Sequence, residues 1–271
     1  MNQNEDFIKL VVENNLINTL FQPVVDLSDG NIIGYEAFSR GPENSNMYSP
    51  LSMIYEAKNR KMIGELDTLF RKDALENAAK QGMKRLLFLN VDPDVIYQGE
   101  LLTDSGEEEL DIPNSSIVIE ITERSNLCNF NTFSQSIKRY KEAGFKIALD
   151  DIGSGFSELD CVSKIGPDFV KIDNILINGM DQDAKKQDTV QSIIKLSEIT
   201  GSKIIAEGVE SEKELLELLK LGVYAAQGKY FGTPETDIKG VNPDAVNCIN
   251  QYYKEKYDQE LKNLIDETAS E

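Results

Sequence analysis

Residues 145–151 read FKIALDD, residues 168–173 read DFVKID and residues 203–210 read KIIAEGVE. Each is a short apolar run that ends in, or carries near its end, a charged side chain: Asp150 with Asp151, Lys171, and Glu207 with Glu210. A buried strand has no cheap place for a charge, so one such residue would be an accident. Five further runs share the pattern: FQPVVDL (21–27), GYEAFSR (34–40), LLFLNVD (86–92), IVIEITE (117–123) and AAQGKYFG (225–232). Their polar residues add Glu36, Asn90, Glu120 and Gln227. Seven successive runs that each deliver such a residue predict strands whose ends converge on one polar site. A (β/α)8 barrel builds its active site in this way, at the C-terminal mouth of its strands.

The segments between the runs have helical spacing. An N-terminal helix is expected over about 5–20, from Phe7, Ile8, Val11, Val12, Leu16 and Leu20. One continuous helix is expected over 54–82, and others over 131–144, 188–201 and 211–222, each closing on glycine. Ser211 and Glu214 have the spacing of a capping box. Strand, helix and strand in alternation argue for parallel βαβ units. The first two strands differ. VVDLSDGNIIGYEA (24–37) holds only a short Asp-Gly turn, which predicts an antiparallel hairpin. The expected fold is therefore α/β, a modified TIM (β/α)8 barrel with an antiparallel first strand. Residues 1–240 are expected to form the barrel domain with its N-terminal helix, and 241–271 an acidic C-terminal helix or tail of the same domain.

The chain has 271 residues, a length that suits one such barrel. Its formal net charge of −19 argues against binding polymeric nucleic acid, which rests on basic patches. An anionic ligand would need local reversal of that charge, and metal ions are the obvious means. The chain has no histidine. That removes Ser-His-Asp and Cys-His triads, imidazole acid–base chemistry and His-ligated zinc or iron. A metal site would then be built from carboxylate, amide and water oxygens, which suit Mg²⁺, Mn²⁺ or Ca²⁺. Cys128, Cys161 and Cys248 are odd in number and lack metal-like spacing, as expected of reduced thiols in a cytoplasmic protein. No signal peptide and no membrane insertion are expected, because no basic, apolar leader and no run of about 20 apolar residues is present.

DDIGSG (150–155) is the most specific local feature. Alone, it is an aspartate-capped loop. Two adjacent carboxylates at a strand end repel unless cations lie between them, so one can bridge two metals while the other binds one. Asn90 is a turn asparagine before Asp92-Pro93 or a neutral oxygen ligand for a hard cation. Lys171 is a structural ion-pair partner of Asp173 or a neighbouring strand end, or a group that orients a nucleophilic water. Glu207 and Glu210 are solvated loop acids or a ligand and a loop anchor. Gln227-Gly228 is a loop entry or a polar contact beside close backbone.

In this order the runs resemble the EAL-domain family of cyclic di-GMP phosphodiesterases. GYEAFSR resembles its signature, with Phe38 where leucine is usual, and the resemblance covers about 18–236. It implies a barrel, often a homodimer, that hydrolyses cyclic di-GMP to linear pGpG with two Mg²⁺ or Mn²⁺ ions. Ca²⁺, with longer bonds and looser geometry, is expected to bind an all-oxygen site without histidine but to misplace the water and so inhibit. Carried over, Glu36, Asn90, Glu120 and Asp150 would hold the first metal. Asp150 would bridge to the second, with Asp151 and Glu207 around it. Lys171 would contact the nucleophilic water, Glu210 would anchor the DDIGSG loop, and Gln227 would act through a metal-bound water. Gln22 and Arg40 would touch substrate. Ile152 and Ser154 replace the more usual phenylalanine and threonine of the loop. An EAL-type receptor that binds cyclic di-GMP with little catalysis is the alternative.

Overall fold

The computed structural model describes residues 3–98, 112–122, 130–153 and 158–268. Its eight strands are β1 (Asn18–Asp26), β2 (Ile32–Arg40), β3 (Leu86–Asn90), β4 (Ile117–Thr122), β5 (Lys146–Ile152), β6 (Phe169–Ile172), β7 (Lys203–Ala206) and β8 (Ala225–Ala226). They close in sequence order into a barrel. The successive pairs from β2 with β3 to β7 with β8 are parallel, and β1 is antiparallel to both β2 and β8. The helices are α1 (Gln3–Glu13), α2 (Pro50–Asn59), α3 (Ile63–Lys80), α4 (Pro93–Gln98), α5 (Phe130–Glu142), α6 (Glu158–Ile165), α7 (Asn174–Ile177), α8 (Ala184–Thr200), α9 (Glu212–Leu221) and α10 (Pro243–Thr268). No helix among the described residues is long and apolar enough to cross a membrane.

The β1–β2 turn is set by side chains acting on their own backbone. Asp26 Oδ1 accepts the Ser28 amide at 2.8 Å and Asp29 Oδ1 accepts that of Asn31 at 2.8 Å. Such Asx contacts supply turn geometry locally. The seam between β1 and β8 is narrow. Only Val25 with Ala226 and Asp26 with Ala225 pair across it. Nearer the mouth, Phe21 pairs instead with Glu235 through two backbone hydrogen bonds of 2.7 and 3.1 Å.

Side chains alternate across each strand, and three apolar clusters result. Outward residues such as Leu87, Ile119, Ile147, Val170 and Ile204 pack under the helices. Inward residues Val24, Phe88, Val118, Ala148, Phe169, Ile205 and Ala225 fill the barrel as a floor. Gly34 completes that floor by leaving room: a Cβ there would lie 2.9 Å from the Phe88 ring and 2.5 Å from the Leu86 carbonyl oxygen. A third cluster, including Ile8, Val11, Met53, Leu66 and Leu69, is a separate lobe core shared by α1, α2 and α3.

Two helix expectations are corrected. The N-terminal helix ends at Glu13 rather than near 20. Asn15 turns left-handed at φ 52°, and Asn18 already belongs to β1. The helix expected over 54–82 is two helices, α2 and α3, separated at Lys61, which has φ 59°. The cap expectations hold: Gly201 and Gly222 close α8 and α9 in left-handed geometry, and Ser211 and Glu214 form a capping box. The 241–271 region is mostly α10, whose Ala245 and Ile249 are buried while residues 254–267 are exposed. Cys248 is a free, half-buried thiol. Cys128, and the side chain of Cys161, lie outside the described residues.

Candidate active site

Two residues along each strand from the floor, on the same inward face, stands a ring of polar side chains. Gln22 follows Val24 toward the mouth, Glu36 follows Gly34, Asn90 follows Phe88, and Glu120 follows Val118. Asp150 follows Ala148, Lys171 follows Phe169, Glu207 follows Ile205, and Gln227 follows Ala225. A period of two puts both layers inside the barrel, one above the other.

Lys171 is 0% exposed and is the hub of the ring. Its Nζ lies 2.9 Å from Glu36 Oε2, 2.7 Å from Glu120 Oε1, 2.7 Å from Glu207 Oε1 and 3.6 Å from Asp150 Oδ1. Glu36 is the best-satisfied acid. Its Oε1 accepts Asn90 Nδ2 at 2.9 Å, and its Oε2 accepts Gln227 Nε2 at 2.5 Å and Lys171 Nζ at 2.9 Å. Gln227 Nε2 also lies 3.3 Å from Glu207 Oε1. Beside these, Asp150, Asp151 and Glu207 each offer an oxygen within 4.8 Å of the others. Asp151 is left-handed at φ 60°, a conformation that costs a non-glycine residue free energy.

The electrostatics divide the acids. Burial raises the Glu36 pKa, but the Lys171 charge and the hydrogen bonds from Gln227 and Asn90 outweigh it and hold the group below its ordinary value. Burial, together with the Glu36 and Asp150 charges, pushes Glu120 well above its ordinary value against the pull of Lys171. Burial pushes Glu207 to about 8, with Asp150 and Glu36 adding and Lys171 opposing. Burial lowers the Lys171 pKa, but Asp150, Glu120, Glu207 and Glu36 more than reverse this and raise it well above its ordinary value. One ammonium cannot balance this many acids. Glu120 Oε2, Asp150 Oδ1 and Gln227 Oε1 are buried without a hydrogen-bond partner. Glu120 Oε1 has the Lys171 ammonium at 2.7 Å, whereas Asp150 Oδ1, at 3.6 Å, has only the attraction of that charge. Orphaned buried oxygens on an all-oxygen donor set are what a hard divalent cation satisfies.

Seven of the expected residues, Glu36, Asn90, Glu120, Asp150, Lys171, Glu207 and Gln227, are joined by the contacts above, and Asp151 stands beside them. Gln22 lies opposite Glu36 in the β1–β2 register and gives its Nε2 to the Gly232 carbonyl at 2.9 Å. Arg40 stands at the end of β2, outside the ion-pair cluster. Its Nη1 donates to the Ser39 carbonyl at 2.9 Å, and its guanidinium lies 5.9 Å from the Phe38 ring centre. Glu210 reaches Lys229 Nζ at 2.6 Å. The loop it was expected to anchor continues into Ser154 and Gly155, outside the described residues. The carboxylate that ties the segment after β7 is Glu214, which accepts the amides of Glu210 and Ser211 at 2.9 and 3.0 Å and that of Gly179 at 2.9 Å.

A cavity of about 460 Å³ runs from the ring to the α2–α3 lobe. Glu36, Asn90, Glu120, Asp150 and Glu207 form its polar end, and Leu51, Ile54 and Phe70 an apolar wall. Asp67 and Arg71 of α3 also line it. Sequence reasoning passed over both, because an Asp and an Arg four apart on a helix look like an ordinary surface pair. The available signal was their place on the apolar face of α3, next to Leu66 and Phe70.

The family model of the EAL domain matches residues 5–234. The probable cyclic di-GMP phosphodiesterase PdeB of Escherichia coli is 29% identical over 224 residues, which is 80% of this chain and 42% of that protein. The chain thus spans less than half the length of this curated relative. Among solved structures, a standalone EAL protein of Vibrio cholerae in its c-di-GMP-bound form is 32% identical, with a TM-score of 0.75 over 84% of this chain and 97% of that one. A manganese and cyclic di-GMP complex of Klebsiella pneumoniae BlrP1 is 25% identical, with a TM-score of 0.72 over 83% of this chain and 58% of that one.

Proposed function

The chain belongs to the EAL-domain family, and on that premise we propose that it hydrolyses one phosphodiester of cyclic di-GMP to give linear pGpG. The observation that carries this reading is the buried ring, in which acids outnumber the one ammonium and several oxygens are orphaned. An acidic mouth in a chain of net charge −19 repels a dianion unless cations intervene.

Glu36, Asn90, Glu120, Asp150, Asp151 and Glu207 would hold two divalent ions, Mg²⁺ or Mn²⁺. When bound, such ions lower the pKa of a water and neutralise charge developing at phosphorus. The chain's own residues do the rest. Lys171, fixed by its carboxylates, orients the attacking water from the floor side. Gln227 and Asn90 lock the Glu36 carboxylate in one orientation. Gln22 and Arg40, on the antiparallel pair at the rim, hold substrate. Ca²⁺, with longer bonds and looser geometry, would inhibit. The resemblance supports a homodimer, and thiols without a pairing pattern support a cytoplasmic location.

The test is incubation of the pure chain with cyclic di-GMP and Mg²⁺, with the nucleotides then resolved. Linear pGpG is the expected product. Cyclic di-GMP that binds but stays intact would replace the enzyme with a receptor.

A further inference from the structure

We infer that Asp67, on α3, is a positioning residue for Asn90, acting through the backbone of Asp92. The inference rests on the metal reading of the mouth proposed above. Asp67 is 4% exposed. Its Oδ2 accepts Arg71 Nε at 2.6 Å and its Oδ1 accepts the Asp92 amide at 2.9 Å. A buried ion pair is weak evidence for stability, since apolar residues of similar volume often do as well. The contact with Asp92 gives the pair a different use.

Asp92 lies in the turn that carries Asn90 from β3 into α4. The amides of that turn, from Val91 to Val95, are accounted for. The Val91 amide donates to the Glu120 carbonyl at 3.1 Å, and that of Val95 to the Asp92 carbonyl at 2.9 Å. The Asp94 amide donates to Asp92 Oδ1 at 3.0 Å, and Pro93 has no amide hydrogen. Only the Asp92 amide is held by a side chain from another element. On its far side, Lys58 of α2 pairs with Asp92 Oδ2 at 2.9 Å. Two helices of the lobe, α2 and α3, therefore grip one residue, two positions from Asn90. Asp67 and Asn90 line the same cavity. Removing Asp67 leaves the Asp92 amide without its acceptor and frees the turn to re-aim the Asn90 oxygen. Supports of this kind typically govern about 10–100-fold in metal affinity.

The measurement is Mn²⁺ affinity of the full chain without nucleotide, by calorimetry, with thermal melting of each metal-free variant alongside. Asp67→Ala should bind Mn²⁺ about 10–100-fold more weakly than wild type. Asp67→Asn loses the same charge but keeps an acceptor for the Asp92 amide, and should bind close to wild type. Thr19→Val removes a different tether of α3, the 2.6 Å bond from Thr19 Oγ1 to Asp73 Oδ2, and should leave Mn²⁺ affinity unchanged. If Asp67→Ala does not fold, the double variant Asp67→Leu with Arg71→Met takes its place. It refills the space without stranding a charge, and the same loss is expected. Wild-type affinity in the folded variant lacking the acceptor overturns the inference. So does an equal loss in Asp67→Asn, which would make charge the cause, or in Thr19→Val, which would make general loosening of α3 the cause. A wild type that binds no Mn²⁺ overturns both the inference and the metal reading beneath it.

Discussion

Phe88 and Asn90 stand two residues apart on β3 and face the same barrel axis, yet they belong to opposite kinds of structure. At the level of Phe88 the interior is apolar on every strand, its aromatic centre formed by Phe88 and Phe169 at 5.5 Å between ring centres. At the level of Asn90 it is a ring of acids and amides around a buried lysine. The floor gains free energy by leaving water, and nothing it needs is missing from the chain. The ring loses free energy by leaving water, and its charges do not balance among themselves. Stability and chemistry are thus separated by one period of the pleat, on the same eight strands.

The largest test of that separation is chelation. Excess EDTA should abolish cleavage of cyclic di-GMP while the far-ultraviolet circular dichroism of the barrel stays unchanged, and Ca²⁺ alone should not restore turnover. Full activity in EDTA would break the comparison at the ring. Next comes the floor. Phe88→Ala opens a cavity among well-packed residues and should cost about 3–5 kcal/mol in chemical denaturation. A cost under about 1 kcal/mol would show that the floor is not the stabilising layer. Lys171→Met keeps the length and removes the charge. With saturating Mg²⁺ it should slow single-turnover cleavage about 10²–10³-fold while binding persists. Cleavage at the wild-type rate would remove Lys171 from the chemistry.

The smallest effect is on the pH dependence of the metal-free protein. Glu120 and Glu207 hold protons in the folded state that the unfolded chain has released, from the ordinary glutamate range up to about 8 for Glu207. The folded state binds more protons in that window, so stability falls as pH rises through it. Melting in EDTA should drop by a few degrees between about pH 5 and pH 8, and Glu207→Gln should flatten the drop. A melting temperature that rises across the window would contradict the assigned direction.

Most of the ring was legible because each polar residue interrupts an apolar run at the same place in its strand. The register of Asn90 opposite Glu120 follows from that placement; Gln22, near the start of its run on the antiparallel strand, was reached only through the family resemblance. The helix break at Lys61 was not read from the sequence, because apolar spacing continues through it and the nearby glycine, Gly64, falls just inside α3 rather than at the break. The early end of α1 was hidden by Leu16 and Leu20, which prolong the helical spacing by chance. Leu16 is 43% exposed and Leu20 belongs to β1. The second contact of Asp67 was hidden for another reason: besides Arg71 it meets a backbone amide 25 residues away, and an amide leaves no trace in a side-chain pattern.

The narrow seam between β1 and β8 bears on the order of folding. The β1–β2 hairpin closes a short loop, whereas the seam joins residues about two hundred positions apart, and long closures are entropically late. The Glu36–Gln227 hydrogen bond spans that last joint. A chain folded everywhere but there would have its hydrophobic layers and no assembled mouth. Cation binding would then report whether the final strand has docked, and would pull slow molecules toward completion.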